Sequence, residues 1–333
     1  MFSKANELNQ ILLRSGEKGL YEQVREIEGI RFPPSAINDV SDKISVIFQA
    51  HLAGVPLDNL LKKQAQQLSL NVRGDIKTIT EHAPSVCRAM LRIAIQKYDG
   101  GTARSAFELL RCAHGNAWEG TQAELLQVKG IGPALMEILG NAGITSIAKL
   151  AAEKEERIGL LLDRPPSFAK KFILEARKFP QIALQIREST GRVLKGKGVE
   201  SNIDIKVELN HTKADMKKLL TKRGNGQPHS IAILVTTTNA DSLACCWQAT
   251  SIERLTAEGS ELPTQKVLMQ SADDEVVVTV ACDTLSGGVK EHRVRPSCPS
   301  HYFAGVMSIV EQGESEEEGE DDSEVRSRSL ILF

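Results

Sequence analysis

Apolar residues in the first third of the chain recur at helical spacing. Between Ser41 and Leu52 they fall at Ile44, Ile47, Phe48 and Leu52, with Ser41 or Asp42 placed to cap the start. A second run, Ser85 to Tyr98, follows Pro84, a residue suited to a first helical turn, and stops before Gly100-Gly101. A third, Thr102 to Ala113, carries Ala106, Leu109, Leu110 and Ala113. In the Pro84 helix Val86, Met90 and Ile93 form one apolar stripe, while Ser85, Arg88, Arg92 and Gln96 share another face. Two arginines stacked on one face suit successive phosphates of a strand lying along the helix, and suit equally a solvated surface.

Residues 118 to 180 change character. Leu125, Leu126 and Val128 end one helical pattern, Gly130-Ile131-Gly132-Pro133 makes a tight turn, and Leu135, Ile138 and Leu139 begin another helix. Glycines let the backbone turn sharply and present N–H groups at the next helix's N-terminus, where a phosphate fits. Lys129 precedes the turn and Glu137 follows it, so the local charge is thin. Gly143 suits a helix stop, a further helix runs from Ser146 to Ala152, and a last one spans Phe168 to Lys178. Lys170, Lys171, Arg177 and Lys178 on that last unit make a stronger basic patch.

After Pro180 the period becomes two. Ile203, Ile205, Val207 and Leu209 alternate with Asp204, Lys206 and Glu208. Short strands are expected at 231–238, 244–250, 267–271, 275–282 and 290–295, punctuated by Gly224-Asn225-Gly226, Gly259-Ser260 and Gly287-Gly288, with no helix of core quality among them. The predicted fold is α+β and multidomain: a helical bundle over 1–114, a helix-hairpin-helix unit over 115–180, an immunoglobulin- or fibronectin-like β-sandwich over 181–310, and a disordered acidic tail over 311–333.

Charge sharpens that division. The net charge of −2 averages unlike parts, because nine acidic residues against Arg326 and Arg328 give residues 311–333 a net of −7 and leave +5 on the rest. The run GESEEEGEDDSE holds too little apolar surface to fold. No apolar run approaches the roughly 18 residues of a bilayer span, and the start MFSKANELNQ lacks a secretory layout, so no membrane association is expected. The six cysteines show no framework spacing and read as reduced and intracellular.

Several sites fail on chemistry. GRVLKGKG at 191–198 has Gly198 where a phosphate loop needs Ser or Thr, and a strand follows where a helix should open. Its lysines read as part of a basic loop, with ten Lys/Arg against five Asp/Glu across 185–228. Asp273-Asp274-Glu275 then has no nucleotide to serve. Cys282, His292, Cys298 and His301 lack a Cys-x-x-Cys pair, and Cys245-Cys246 would point to opposite faces of a strand, so no metal is expected. Trp118 and Trp247 are too few aromatics for a base-stacking surface, and Trp247 reads as sandwich core.

The order bundle, hairpin, sandwich resembles the Sec-sixty-three-type module that follows the motor in Ski-two-like superfamily-two helicases. The segments that carry the resemblance are SGEKGLYEQV, IRFP at 30–33, DKISVIFQAHLAG, CRAMLRIAI, LLQVKGIGPALMEILGNAGITSIAKL, RPPSF at 164–168 and KFPQIALQIRE. They cover residues 14 to 188 well and the sandwich more loosely. Within the family, GEK, IRFP, NAGITSI and RPPSF look most like the meiotic crossover helicases of the Mer-three type, and less like the spliceosomal Brr-two type.

The resemblance implies that CRAMLRIAI is the ratchet helix lining a nucleic-acid channel, so that Ser85, Arg88 and Arg92 contact the strand, with His82 a weaker addition. Lys129, Gly130, Gly132, Lys170 and Lys171 would grip flanking backbone. The two RecA-like motor domains and the winged helix of the family have no counterpart here, so ATP and Mg belong to motor domains outside this chain, and no catalytic residue, cofactor or metal is assigned to it. A truncated or split gene and a true motorless protein both fit that pattern. The expected partners are single-stranded or branched DNA and, through the sandwich, MutL-type or other recombination proteins, with a nuclear location. The alternative is a non-enzymatic scaffold of a spliceosomal RNA helicase or a protein-translocation factor. The first would bring a tandem second cassette and the second membrane spans and a J-domain, none of which is present.

Overall fold

Helix α2 (Val40–Leu52) shows how local chemistry sets the elements. Its N-cap is Asp39, not Ser41 or Asp42. The Asp39 carboxylate accepts the Asp42 N–H at 3.0 Å, and the Asp42 carboxylate accepts the Asp39 N–H at 3.2 Å, a reciprocal capping box built with two aspartates. The computed structural model describes residues 2–57, 66–194, 198–222, 226, 228–238, 243–258, 260–261, 264–295 and 300–303. The expected acidic tail at 311–333 lies outside them, as do Lys195 to Lys197, Cys298 and the side chains of Cys245, Cys246 and Trp247.

The first core gathers α1 (Lys18–Arg25), α2, α3 (Gln66–Gln96) and α4 (Gly100–Gly115) around Tyr21, Ile44, Ile47, Ile79 and Phe107. Asp99 caps α4 by accepting the Thr102 N–H at 2.8 Å. A set of charges sits inside this bundle. Lys43 is fully buried, and its Nζ lies 2.6 Å from Glu17 Oε2 and 2.8 Å from Asp75 Oδ2, while Arg14 grips Asp75 at 2.8 and 3.2 Å. Glu17, Lys43 and Asp75 are buried while Arg14, 34% exposed, closes the set from its rim, and the four charges sum to zero, which lowers the cost of burying the three. They fall within SGEKGLYEQV and DKISVIFQAHLAG or, like Arg14 and Asp75, beside them in space, so those segments owe their character to the core.

A second core joins a 3-10 turn at Gln122–Gln127 with α5 (Pro133–Asn141), α6 (Ile147–Ala152), α7 (Glu155–Leu162) and α8 (Pro166–Ala176). Ser146 caps α6, and Gly143 (φ +83°) turns the chain after α5.

The last core lies between two four-stranded antiparallel sheets. One pairs β1 (Ile182–Leu194) with β2 (Gly198–Leu209), whose other edge takes β5 (Ser260–Glu261) and β6 (Gln265–Met269). The other runs β4 (Leu243–Ser251), β3 (Ser230–Thr237), β7 (Val276–Cys282), β8 (Lys290–Val294). Short helix α9 (Lys213–Met216) follows β2. Every residue of β7 is buried, because Val276, Val278 and Val280 face the first sheet while Ala281 joins Ala232, Leu234 and Leu243 against the helical bundle. A sheet covered on both faces reads as a continuous apolar run, which is how 231–235 and 276–278 appear in the sequence.

Two expectations are corrected. The basic stretch 185–228 is not all loop, since it holds most of the 13-residue strand β1 and all of β2, while Lys195 and Lys197, the lysines read as a basic loop, lie outside the described residues. Gly198 there has φ +119°, and a Cβ on it would lie 2.1 Å from the Met269 carbonyl oxygen, so glycine answers to strand packing. A helix of core quality does follow Pro180: α10 (Ile252–Glu258) buries Ile252 and Leu255 between the sheets.

Candidate nucleic-acid interface

Helix α3 has 31 residues, about 45 Å at 1.5 Å per residue, and Pro84 lies inside it, not at its start. An interior proline costs about 3 kcal/mol. The helix persists because Val72, Ile79, Ala83, Val86, Cys87, Leu91 and Ala94 are buried along it on both sides of the proline. Ile93, expected in the apolar stripe, is 48% exposed, since the buried face centres on Cys87, Leu91 and Ala94 and Ile93 falls at its border.

Extending the helix backward lengthens the row of polar residues. Arg73, Lys77, Glu81, Ser85, Arg88 and Arg92 follow one another at spacings of four and three. A helix that starts at residue 85 leaves out Arg73 and Lys77, which only the four-residue spacing back from Ser85 reveals in the sequence. Ser85 and Arg92 are exposed. Arg88 is half-buried and engaged, with its guanidinium 3.6 Å from Asp283 Oδ2 and 3.3 Å from His114 Nε2. It therefore ties α3 to the end of β7 as well as facing the row.

The second group of candidates gathers on the small helical unit. Gly130 (φ +93°) turns against α8, where a Cβ would come within 3.1 Å of the Phe172 ring, and Gly132 caps α5 with Pro133 as its first residue. Lys129 is exposed beside the turn, and Lys171 is exposed next to Phe172, so the turn and α8 present their lysines from one packed unit. Lys170 is paired with Glu155 at 3.1 Å. Arg177 donates to the Ala151 carbonyl at 3.0 Å and Lys178 pairs with Glu175, so these two brace the unit.

The loop 283–288, which in the sequence reads only as punctuation at Gly287-Gly288, joins the two groups. Ser286 Oγ donates to the Ala117 carbonyl at 2.9 Å, and the Gln127 side chain accepts the Ser286 N–H at 3.0 Å and donates to its carbonyl at 2.9 Å. The loop thus wedges between α4 and the helical unit. Arg104 of α4 adds a bond to Thr236 Oγ1 at 2.7 Å. Among the described residues no group of three or more His, Cys, Asp or Glu could hold a metal ion. Cys87 and Cys112 are buried thiols pushed up to about 12 by desolvation, which leaves them unreactive.

Glu124 lies beside the wedge and is 5% exposed. Burial raises its carboxyl from 4.5 to about 7, opposed by the Gly120 N–H it accepts and reinforced by Glu119. The folded chain keeps this proton where the unfolded chain has released it, so stability falls as pH rises from 4.5 to about 7. Glu124→Gln is expected to flatten that slope and to exceed the parent in unfolding free energy by about 1–3 kcal/mol at pH ~8, measured by urea denaturation.

A helical bundle with a basic row, a second helical unit and two sheets are thus joined through one wedge loop. The Sec63 Brl domain profile matches residues 1–295, and the chain belongs to that family. Its curated relatives include proteins named "Probable ATP-dependent DNA helicase HFM1". The one from Xenopus tropicalis is 20% identical over 240 residues, covering 71% of this chain and 17% of that protein. The Mus musculus protein is 23% identical over 242 residues (71% and 16%), and the Homo sapiens protein 22% over 240 (71% and 16%). The chain spans about one sixth of the length of the curated relatives it matches. No helix among the described residues is long and apolar enough to cross a membrane.

Proposed function

We propose that this chain is the nucleic-acid-guiding and partner-docking module of an ATP-dependent DNA helicase acting in meiotic recombination, at crossover formation, in the nucleus. The observation that carries the reading is the row Arg73, Lys77, Glu81, Ser85, Arg88, Arg92 along about 28 Å of one continuous helix, in which Lys77 lies 3.7 Å from Glu81 and four cations outweigh the one carboxylate, a net-basic stripe suited to the phosphates of a single strand. Contacts of this kind position a strand without reading its sequence. Residues 115–180 act as a helix-hairpin-helix, with Lys129, Gly130, Gly132, Lys170 and Lys171 on flanking backbone, and the two sheets as an immunoglobulin- or fibronectin-like sandwich that docks MutL-type or other recombination proteins. ATP and Mg serve motor domains elsewhere in such an enzyme.

Fluorescence anisotropy with labelled single-stranded DNA tests the strand contact. Arg92→Glu, which leaves the Arg88–Asp283 pair in place, is expected to weaken binding about tenfold by replacing attraction with repulsion. The double change Arg88→Ala with Arg92→Ala is expected to flatten the slope of log affinity against log salt by about 1.4, or 0.7 per lost phosphate contact on a single strand. Unchanged affinity and slope in both variants would sink the assignment.

A further inference from the structure

We propose that the half-open cavity where the 283–288 loop meets the helical unit is a docking pocket for a lysine or arginine side chain of a partner protein. The cavity measures about 420 Å³, in the range of ligand pockets. Its walls are largely apolar, with Ile147, Phe179, Ile182, Leu285 and Val289 among the lining residues. Into it faces Glu124, more than nine-tenths buried. Glu124 Oε1 accepts the Gly120 N–H at 2.7 Å, and Oε2 has no partner among the described residues. Gly287 (φ +84°) keeps that oxygen open, since a Cβ there would lie 2.5 Å from it.

A carboxylate held in a largely apolar setting by a single N–H is poorly solvated, and a cation that reaches its second oxygen relieves the cost. Largely apolar walls around the open Glu124 carboxylate suit an aliphatic stem ending in a charged head. The other charged lining residues are Glu119, held by Arg111 at 2.9 Å, and Lys290, exposed on β8. An anion would meet two carboxylates, and a neutral apolar group would leave Glu124 unsatisfied. The volume also leaves room for residues flanking the inserted side chain, which favours a protein segment over a free amine. The proposal does not rest on the strand-guiding reading, because the α3 row lines no part of this cavity.

The test is methyl NMR of the full chain, following Ile147, Ile182 and Leu285 during titration with N-acetyl-lysine amide, N-acetyl-arginine amide, N-acetyl-norleucine amide and the tripeptide Gly-Lys-Gly. Saturable shifts are expected with the two cationic amides, weaker or absent shifts with norleucine, and tighter binding with the tripeptide. Glu124→Gln is expected to weaken binding at least about tenfold, as loss of a charge-assisted contact does. Ala148→Trp, on the exposed rim, should block binding while the melting temperature stays unchanged. Affinity for the lysine amide should rise with pH through about 7 as Glu124 ionises. Equal response to norleucine, undiminished binding in Glu124→Gln, or no saturable shift with any probe would overturn the proposal.

Discussion

Lys43→Met is expected to lower the unfolding free energy by about 3–5 kcal/mol, because it leaves Glu17 and Asp75 buried with only Arg14 to balance them. Glu17 and Lys43 are both fully buried, so solvent cannot take over the lost charge. Lys43 Nζ also donates to the Leu12 carbonyl at 2.6 Å, which would lose its donor. The account predicts a specific rescue. Adding Glu17→Gln returns the cluster to neutrality, with the bidentate Arg14–Asp75 pair intact, and should recover a large part of the loss, a coupling of about 1–3 kcal/mol in a double-mutant cycle. Urea denaturation of the parent, both single variants and the double measures it. Additive losses would mean that the four charges do not act as one unit.

Gly115→Leu is expected to do comparable damage by a different route. A Cβ at Gly115 would lie 2.6 Å from Ser286 Cβ and 2.7 Å from the Ser286 backbone nitrogen, and backbone cannot swing aside as a flexible side chain can. The loop must leave its seat and give up the Ser286 bonds to Ala117 and Gln127. Three hydrogen bonds at about 1 kcal/mol each set the cost near 3 kcal/mol. Because the loop also joins Arg88 to the sheet, the expected signature is loss of a single cooperative transition, with the helical unit melting before the bundle in calorimetry. One unshifted transition would show that the loop is not the brace described.

Features with local causes were legible in the sequence. The turn at Gly130 to Pro133, the short helix expected at Ser146 to Ala152 and found at Ile147–Ala152, and the alternation from Ile203 to Leu209 each depend on residues within a few positions of one another. What was hidden depends on distant partners. Pro84 reads as a helix start because proline costs a helix interior, and only the apolar residues packed along both halves of α3 outweigh it. Arg88 reads as a strand contact from its helix face, yet Asp283, nearly 200 positions later, shares it. The charges of GEK and DKIS look like surface residues until Asp75, 61 positions from Arg14, places them in the core. Gly115 carries no pattern of its own, and Gly287 reads only as strand punctuation, until Ser286 against the one and Glu124 against the other show how closely each is packed.

The central claim is that a single strand lies along the polar row of α3. Its most direct test places a photo-crosslinking residue at Ser85, at Arg92 and, as a control, at Leu268, a 41% exposed position on β6 away from the row. Irradiation with labelled single-stranded DNA should yield DNA adducts at Ser85 and Arg92 that high salt suppresses, and none above background at Leu268. Adducts at Leu268 with none on α3 would contradict the account.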